Sequence, residues 1–190
     1  GNNGTLTATG SGTISGVTLN GGTLDIDATT TVTTLTVNAS STVDLGADLT
    51  VTNGTNTGAH TLTLSGGSEF DGTITVASTG KLTRSDAGTI SGVTLNGGTL
   101  DIDATTTVTN LAVNASSTIE LGGNTLTATV PTSSKVVTVN GGGTISNVTL
   151  SGGELIFGAA TTVNNALTTS ANTTIELGGN TLTATVPTSS

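Results

Sequence analysis

The chain contains no Cys, Met, Trp or Tyr, and its only aromatic side chains are Phe70 and Phe157. Without Cys there is neither a disulfide framework nor a thiolate metal site, and either redox compartment is compatible. The missing aromatics remove the platforms that a sugar-binding groove uses. Cations are almost as scarce. Lys81, Arg84, Lys135 and a single His60 face twelve carboxylates, for a formal net charge of −9. That balance cannot neutralise phosphates, so a nucleic acid or an anionic membrane is not an expected partner. Apolar runs are only a few residues long, too short to cross a bilayer, so no membrane insertion is expected. No initiator Met or signal-peptide core opens the sequence, which reads as a mature product or an excised piece. No stretch combines helix caps with apolar residues at 3.6-residue spacing.

What remains is Thr, about a quarter of all residues, with abundant Gly and an apolar set of Val, Leu, Ile and Ala. Thr, Val and Ile suit the pleated, half-buried surface of a sheet. The expected class is all-β, and 190 residues suffice for one domain with a real core.

Repetition then decides the architecture. GTISGVTLNGGTLDIDATTTVT occupies residues 12–33 and recurs unchanged at 88–109, with a looser copy, GTISNVTLSGGELIFGAATTVN, from Gly143. The separations of 76 and 55 residues are close to four and three units of 18–19 residues. The unit is visible directly: Ile14, Val17, Leu19, Leu24 and Ile26 are followed at offsets of 18 or 19 by Val32, Leu35, Val37, Val43 and Leu45. Inside each unit apolar residues alternate with polar ones, as in Leu24-Asp-Ile26, the pattern of a short strand with one buried face. Turn segments rich in Asn, Gly and Ser separate these strands: NGG at 20–22 and 96–98, NASST at 38–42 and 114–118.

Strands this short gain stability only by stacking coil upon coil. The spacing therefore predicts one continuous β-solenoid over residues 1–190, a parallel β-helix of about ten coils, expected right-handed. At about 4.8 Å per coil the rod is about 45–50 Å long. An antiparallel sandwich would leave the 18-residue offset and the 76-residue copy unexplained. The stacking places Asn20 over Asn38 and Asn96 over Asn114 as corner ladders. Between Leu49 and Val76 the register is undefined, and TNGTNTGAH at 52–60 reads as a loop protruding from the stack.

The run GGTLDIDATTTVTTLTVNASSTVDLGADLTV, residues 21–51, resembles the passenger repeats of bacterial autotransporter and filamentous-haemagglutinin-type adhesins in its GGTL turns, Thr-rich strands and absence of Cys. The resemblance implies an extracellular or cell-surface location and a structural or adhesive role, with a host or cell-surface receptor as a possible partner. It carries over no catalytic residue.

The two ends of the sequence echo each other. IELGGNTLTATVPTSS occupies 119–134 and again 175–190, and the opening NNGTLTATG is a variant of it. Neither end reads as a polar cap, so the sequence is expected to be either a segment of a longer repetitive protein or a protomer that associates end to end.

Candidate chemistry is thin. Asp25 and Asp27, with their copies Asp101 and Asp103, flank an inward Ile and are expected to point outward about 6.5–7 Å apart, a spacing that suits an inverting glycosidase. An acidic face that keeps the rod soluble is the simpler expectation, since the pair occurs twice and no cation is adjacent in sequence. Asp25 is expected over Asp44 and Asp101 over Glu120. These two stacks, with Asp27 and Asp103, make six carboxylates the candidate Ca²⁺ ligands, the one cofactor considered. TLTAT at 5–9, 125–129 and 181–185 resembles the arrays of ice-binding solenoids. However, the column expected to repeat coil by coil, Thr18, Thr36, Thr94 and Thr149, is single-file and broken by Ala112. Asn38, Asn114, Asn147 and Asn172 sit in Asn-x-Ser/Thr sequences that would accept glycans where the machinery exists. The expectation is a non-enzymatic structural or adhesive solenoid, with ice binding and polysaccharide degradation as alternatives.

Overall fold

The computed structural model describes residues 4–132, 134–169 and 172–185. The described residues form strands, turns and corners, with no helix. Each coil contributes one strand to each of two parallel sheets. In chain order the coils are β1 (Thr5–Ala8) with β2 (Gly12–Asn20), β3 (Thr23–Ile26) with β4 (Thr30–Ala39), and β5 (Ser41–Leu45) with β6 (Leu49–Val51) and β7 (Thr55–Asn56). Next come β8 (Thr61–Ser65) with β9 (Phe70–Val76), β10 (Lys81–Arg84) with β11 (Gly88–Asn96), and β12 (Thr99–Ile102) with β13 (Thr106–Ala115). Then follow β14 (Ser117–Glu120) with β15 (Thr125–Pro131), and β16 (Val136–Asn140) with β17 (Gly143–Leu150). The last two are β18 (Glu154–Phe157) with β19 (Thr161–Thr169), and β20 (Thr174–Glu176) with β21 (Leu182–Ala184).

Sheet order follows coil order throughout, so the chain is a β-solenoid of about nine turns. The 76-residue duplicate spans four coil-to-coil steps, from β2 to β11, and the looser copy lies three further on, at β17.

The core is a set of aliphatic columns. In the first sheet Leu24, Val43 and Leu64 stack in register and are fully buried. In the second sheet Ile74, Val93 and Leu111 do the same, as do Val76, Leu95 and Val113. The longer strands of the second sheet break their alternation once. In β11 the buried Ile90, Val93 and Leu95 are spaced three and then two, with Ser91-Gly92 between the halves. Strict alternation would turn one half outward, so the strand must change direction there for both halves to face the interior. Buried hydroxyls at strand starts turn back on the corner: Thr30, Thr106 and Thr161 each donate to the carbonyl two residues earlier, at 2.7, 2.8 and 3.1 Å. This satisfies a polar group that burial would otherwise penalise.

One expectation fails. Residues 52–60 do not protrude as a loop. β7 pairs with β9, Thr55 opposite Ile74 and Asn56 opposite Thr75, so the segment completes the rung begun by β6. Thr55 and Thr57 are buried, and Thr55 Oγ1 donates to the Leu35 carbonyl of the coil below at 2.7 Å. A hydroxyl supplies here what a backbone ladder supplies elsewhere, which is why a segment without aliphatic residues remains in the stack.

Candidate functional site

The predicted carboxylate stacks are present as Cα partners. Asp25 lies opposite Asp44, and Asp101 opposite Glu120. Each outward carboxylate is tied to an adjacent coil. Thr7 Oγ1 donates to Asp25 at 3.3 Å, Thr83 Oγ1 donates to Asp101 at 3.3 Å, and Asn140 Nδ2 donates to Glu120 at 2.9 Å. Asp101 also pairs with Lys81 at 2.7 Å, a cation 20 residues away in sequence that stacking brings alongside. Asp27 and Asp103 differ from the expectation. β3 ends at Ile26 and β12 at Ile102, so each of these carboxylates stands in the corner beyond its strand, not on it beside Asp25 or Asp101. The six candidate ligands are thus divided into two stacked pairs and two corner residues. Among the described residues no three His, Asp or Glu side chains are grouped as a metal site would require.

The corner Asn residues are joined across coils. Asn38 Nδ2 donates to Asn20 Oδ1 at 3.0 Å and Asn114 Nδ2 to Asn96 Oδ1 at 3.1 Å. The same habit recurs elsewhere: Asn53 donates to Thr34 at 3.0 Å, and Ser91 donates to Glu69 and Asp71 at 3.1 and 2.9 Å. These outward polar side chains use their hydrogen bonds on the neighbouring coil.

The outward Thr residues form a longer column than the sequence suggested. Thr5, Thr23, Thr42, Thr63 and Thr83 succeed one another on five adjacent coils of the first sheet before Asp101 ends the run. The sequence reading missed it because two of its members lie beyond the segment whose register was undefined. In the second sheet Thr18 lies over Thr36 and Thr94 over Ala112, single-file as expected.

The side chain the sequence concealed is Arg84. It is fully buried, in register between Leu64 and Ile102 in an otherwise aliphatic column. Its Nη1 donates to the Ser65 carbonyl at 3.3 Å, and its Nη2 to those of Ser68 and Ala87 at 3.1 and 3.3 Å, while the buried Nε has no acceptor. Burial pushes its pKa below the ordinary arginine value, and the Coulombic pull of Asp86 opposes that shift. The corner helps explain its presence. Four residues separate β8 from β9, whereas three separate β10 from β11 and β12 from β13. The longer corner turns carbonyls inward, and the guanidinium fork of the next coil caps them. Asn124 serves the comparable four-residue corner after β14, donating to the Ile102 carbonyl at 3.0 Å. The signal for Arg84 was present in the alternation Leu82-Thr-Arg84, which sets arginine and leucine on the same face.

Two open depressions of about 520 and 400 Å³ lie on the second sheet, around Gly92–Thr94 and Asn53–Asn56, and neither is lined by a carboxylate, an imidazole or a cation. Chemically, then, the surface offers hydroxyls, amides and paired carboxylates distributed along a rod, and its most perturbed ionisable group is sealed inside. Compared with protein families, curated proteins and solved structures, the chain matches none.

Proposed function

We propose that this chain is a mechanical element, a stiff extracellular or cell-surface rod that acts without catalysing a reaction. The observation that carries the reading is that outward polar side chains bond from coil to coil, through Asn20–Asn38, Asn96–Asn114 and the carboxylate bonds to Thr7, Thr83 and Asn140. Polar groups committed to the stack stiffen it, whereas an active site needs several converging on one point. The resemblance of residues 21–51 to adhesin passenger repeats supports a stalk or adhesive role, and the repetitive build supports assembly into filaments. The surface contacts other proteins or a host receptor through its Thr, Asn and carboxylate rows, and takes neither nucleic acid nor membrane as a partner, given the net charge of −9.

The test is to purify the chain and record its scattering profile, its protease resistance and its turnover of a polysaccharide panel. A rod-shaped, protease-resistant particle without turnover is expected, and surface labelling of the source cells should reach it. Hydrolysis of any polysaccharide that is lost on replacing Asp25 and Asp101 by Asn would overturn the reading.

A further inference from the structure

Among the described residues the exposed large apolar side chains are Leu6, 50 % exposed, and Leu177, 37 % exposed, one in the first coil and one in the last. Each has an internal counterpart that is fully buried. Residues 175–190 repeat 119–134 without a change, so Leu177 corresponds to Leu121. Residues 4–19 align with 135–150 at nine identical positions of sixteen, so Leu6 corresponds to Val137. Leu121 and Val137 are both 0 % exposed, because inside the chain the coil of β14 and β15 is followed directly by the coil of β16 and β17. The sequence of that internal joint therefore recurs with its lower half at residues 175–185 and its upper half at residues 4–19.

Glycines carry the same message. At the internal joint, a Cβ on Gly141 or Gly143 would collide with backbone of the coil below, at Gly122 and at Asn124. Their counterparts Gly10 and Gly12 have nothing within 4 Å, and neither has a positive φ. Within one chain nothing requires glycine there. Against a coil resembling 119–131, the requirement returns.

We infer that the coil of residues 172–185 receives residues 4–20 of a second copy of this chain, in the register of the internal joint. In that joint Thr118 lies opposite Thr138, Ile119 opposite Val139 and Leu126 opposite Ile145. Across two copies the same register sets Thr174 opposite Thr7, Ile175 opposite Ala8 and Leu182 opposite Ile14. The backbone bonds transfer as well. Leu121 N donates to Asn140 O at 3.0 Å and Thr144 N to Asn124 O at 3.0 Å, and their equivalents are Leu177 N to Thr9 O and Thr13 N to Asn180 O. Leu177 and Leu6 become buried, and the exposed sheet edges are paired. This rests on the rod reading and gives its filament form a contact surface and a register.

Cysteine cross-linking tests it, helped by a chain that has no Cys of its own. Opposed positions on parallel strands are about 4.8 Å apart at Cα, within disulfide range. Thr7→Cys with Thr174→Cys should give a ladder of covalent multimers on oxidation, about tenfold more efficiently than Thr5→Cys with Thr174→Cys. Thr118→Cys with Thr138→Cys, the internal equivalent, should close within one chain. In parallel, sedimentation of the unmodified protein should show growth with concentration, and Leu177→Glu should weaken it about tenfold or more. Cross-linking no better for the in-register pair than for the offset pair would overturn the inference, as would rods that stay single at every concentration. A single rod would leave that edge to a further coil of the same chain and would leave the proposed function standing. A particle that is not rod-shaped would sink the proposed function itself.

Discussion

Gly88 and Gly12 open the same 22-residue sequence, yet alanine should behave differently at the two sites. A Cβ on Gly88 would run into Nη2 of Arg84 and stand 2.9 Å from its Cζ, whereas Gly12 has nothing within 4 Å. Neither backbone has a positive φ, so conformational strain does not distinguish them. The guanidinium cannot simply swing aside, because it is fully buried and holds three carbonyls. Overpacking of this kind costs about 1–3 kcal/mol, and for a chain of this length 2 kcal/mol corresponds to about 4–8 °C in Tm. At Gly12, in dilute solution, Ala should change stability by no more than about 0.5–1 kcal/mol, in the favourable direction, through the unfolded state. Arg84→Leu restores the aliphatic column but strands the carbonyls of Ser65, Ser68 and Ala87, and should itself cost about 3–5 kcal/mol. In that background Gly88→Ala should be nearly neutral. Denaturant titration of the wild type, both single variants and the double variant gives the coupling, expected to exceed about 1 kcal/mol. If Gly88→Ala is as harmless as Gly12→Ala, or costs the same with and without Arg84, the buried-arginine argument fails.

Three other outcomes follow from the stack. Asp44→Asn removes one member of the Asp25–Asp44 pair and should stabilise the rod by about 0.5–1 kcal/mol at low salt, since like charges about 5 Å apart repel by about 0.8 kcal/mol even in water. The gain should fade in high salt, and a gain that persists would point to another cause. Thr55→Val keeps the shape but leaves the Leu35 carbonyl without its 2.7 Å donor, for a loss of about 1–3 kcal/mol in thermal or denaturant unfolding. Asn38→Ala opens one exposed corner bond and should cost about 0.5–1.5 kcal/mol, with Asn114→Ala matching it because the two corners are copies.

The columns were legible because a solenoid converts sequence offset into spatial neighbourhood. An offset of 18 or 19 residues sufficed to set Leu24 over Val43 and Asp25 over Asp44. Where a rung is built by other means, the periodicity is silent. Thr52–His60 lacks the aliphatic alternation that marks a strand, and its place in the stack depends on hydroxyls reaching carbonyls of neighbouring coils. Arg84 was hidden for a different reason. Charge suggests solvent, and only the combination of an inward position with an over-long corner makes burial the better outcome. The bond between Lys81 and Asp101 was out of view as well, since neighbours in this fold lie a full coil apart along the chain.

The two-sheet coil has a consequence for how such a gene grows. Every strand here is paired with the coil before it and the coil after it, and with no more distant one. An inserted segment that begins and ends at the same phase of the coil therefore joins smoothly to both neighbours, as the 76-residue duplicate does across its four steps. A segment that stops mid-coil would put a corner where a strand is required and turn the next alternation inside out. Length is therefore quantised: duplication and deletion change the rod in steps of about 4.8 Å, and phase, more than composition, decides which genetic events leave a molecule that folds.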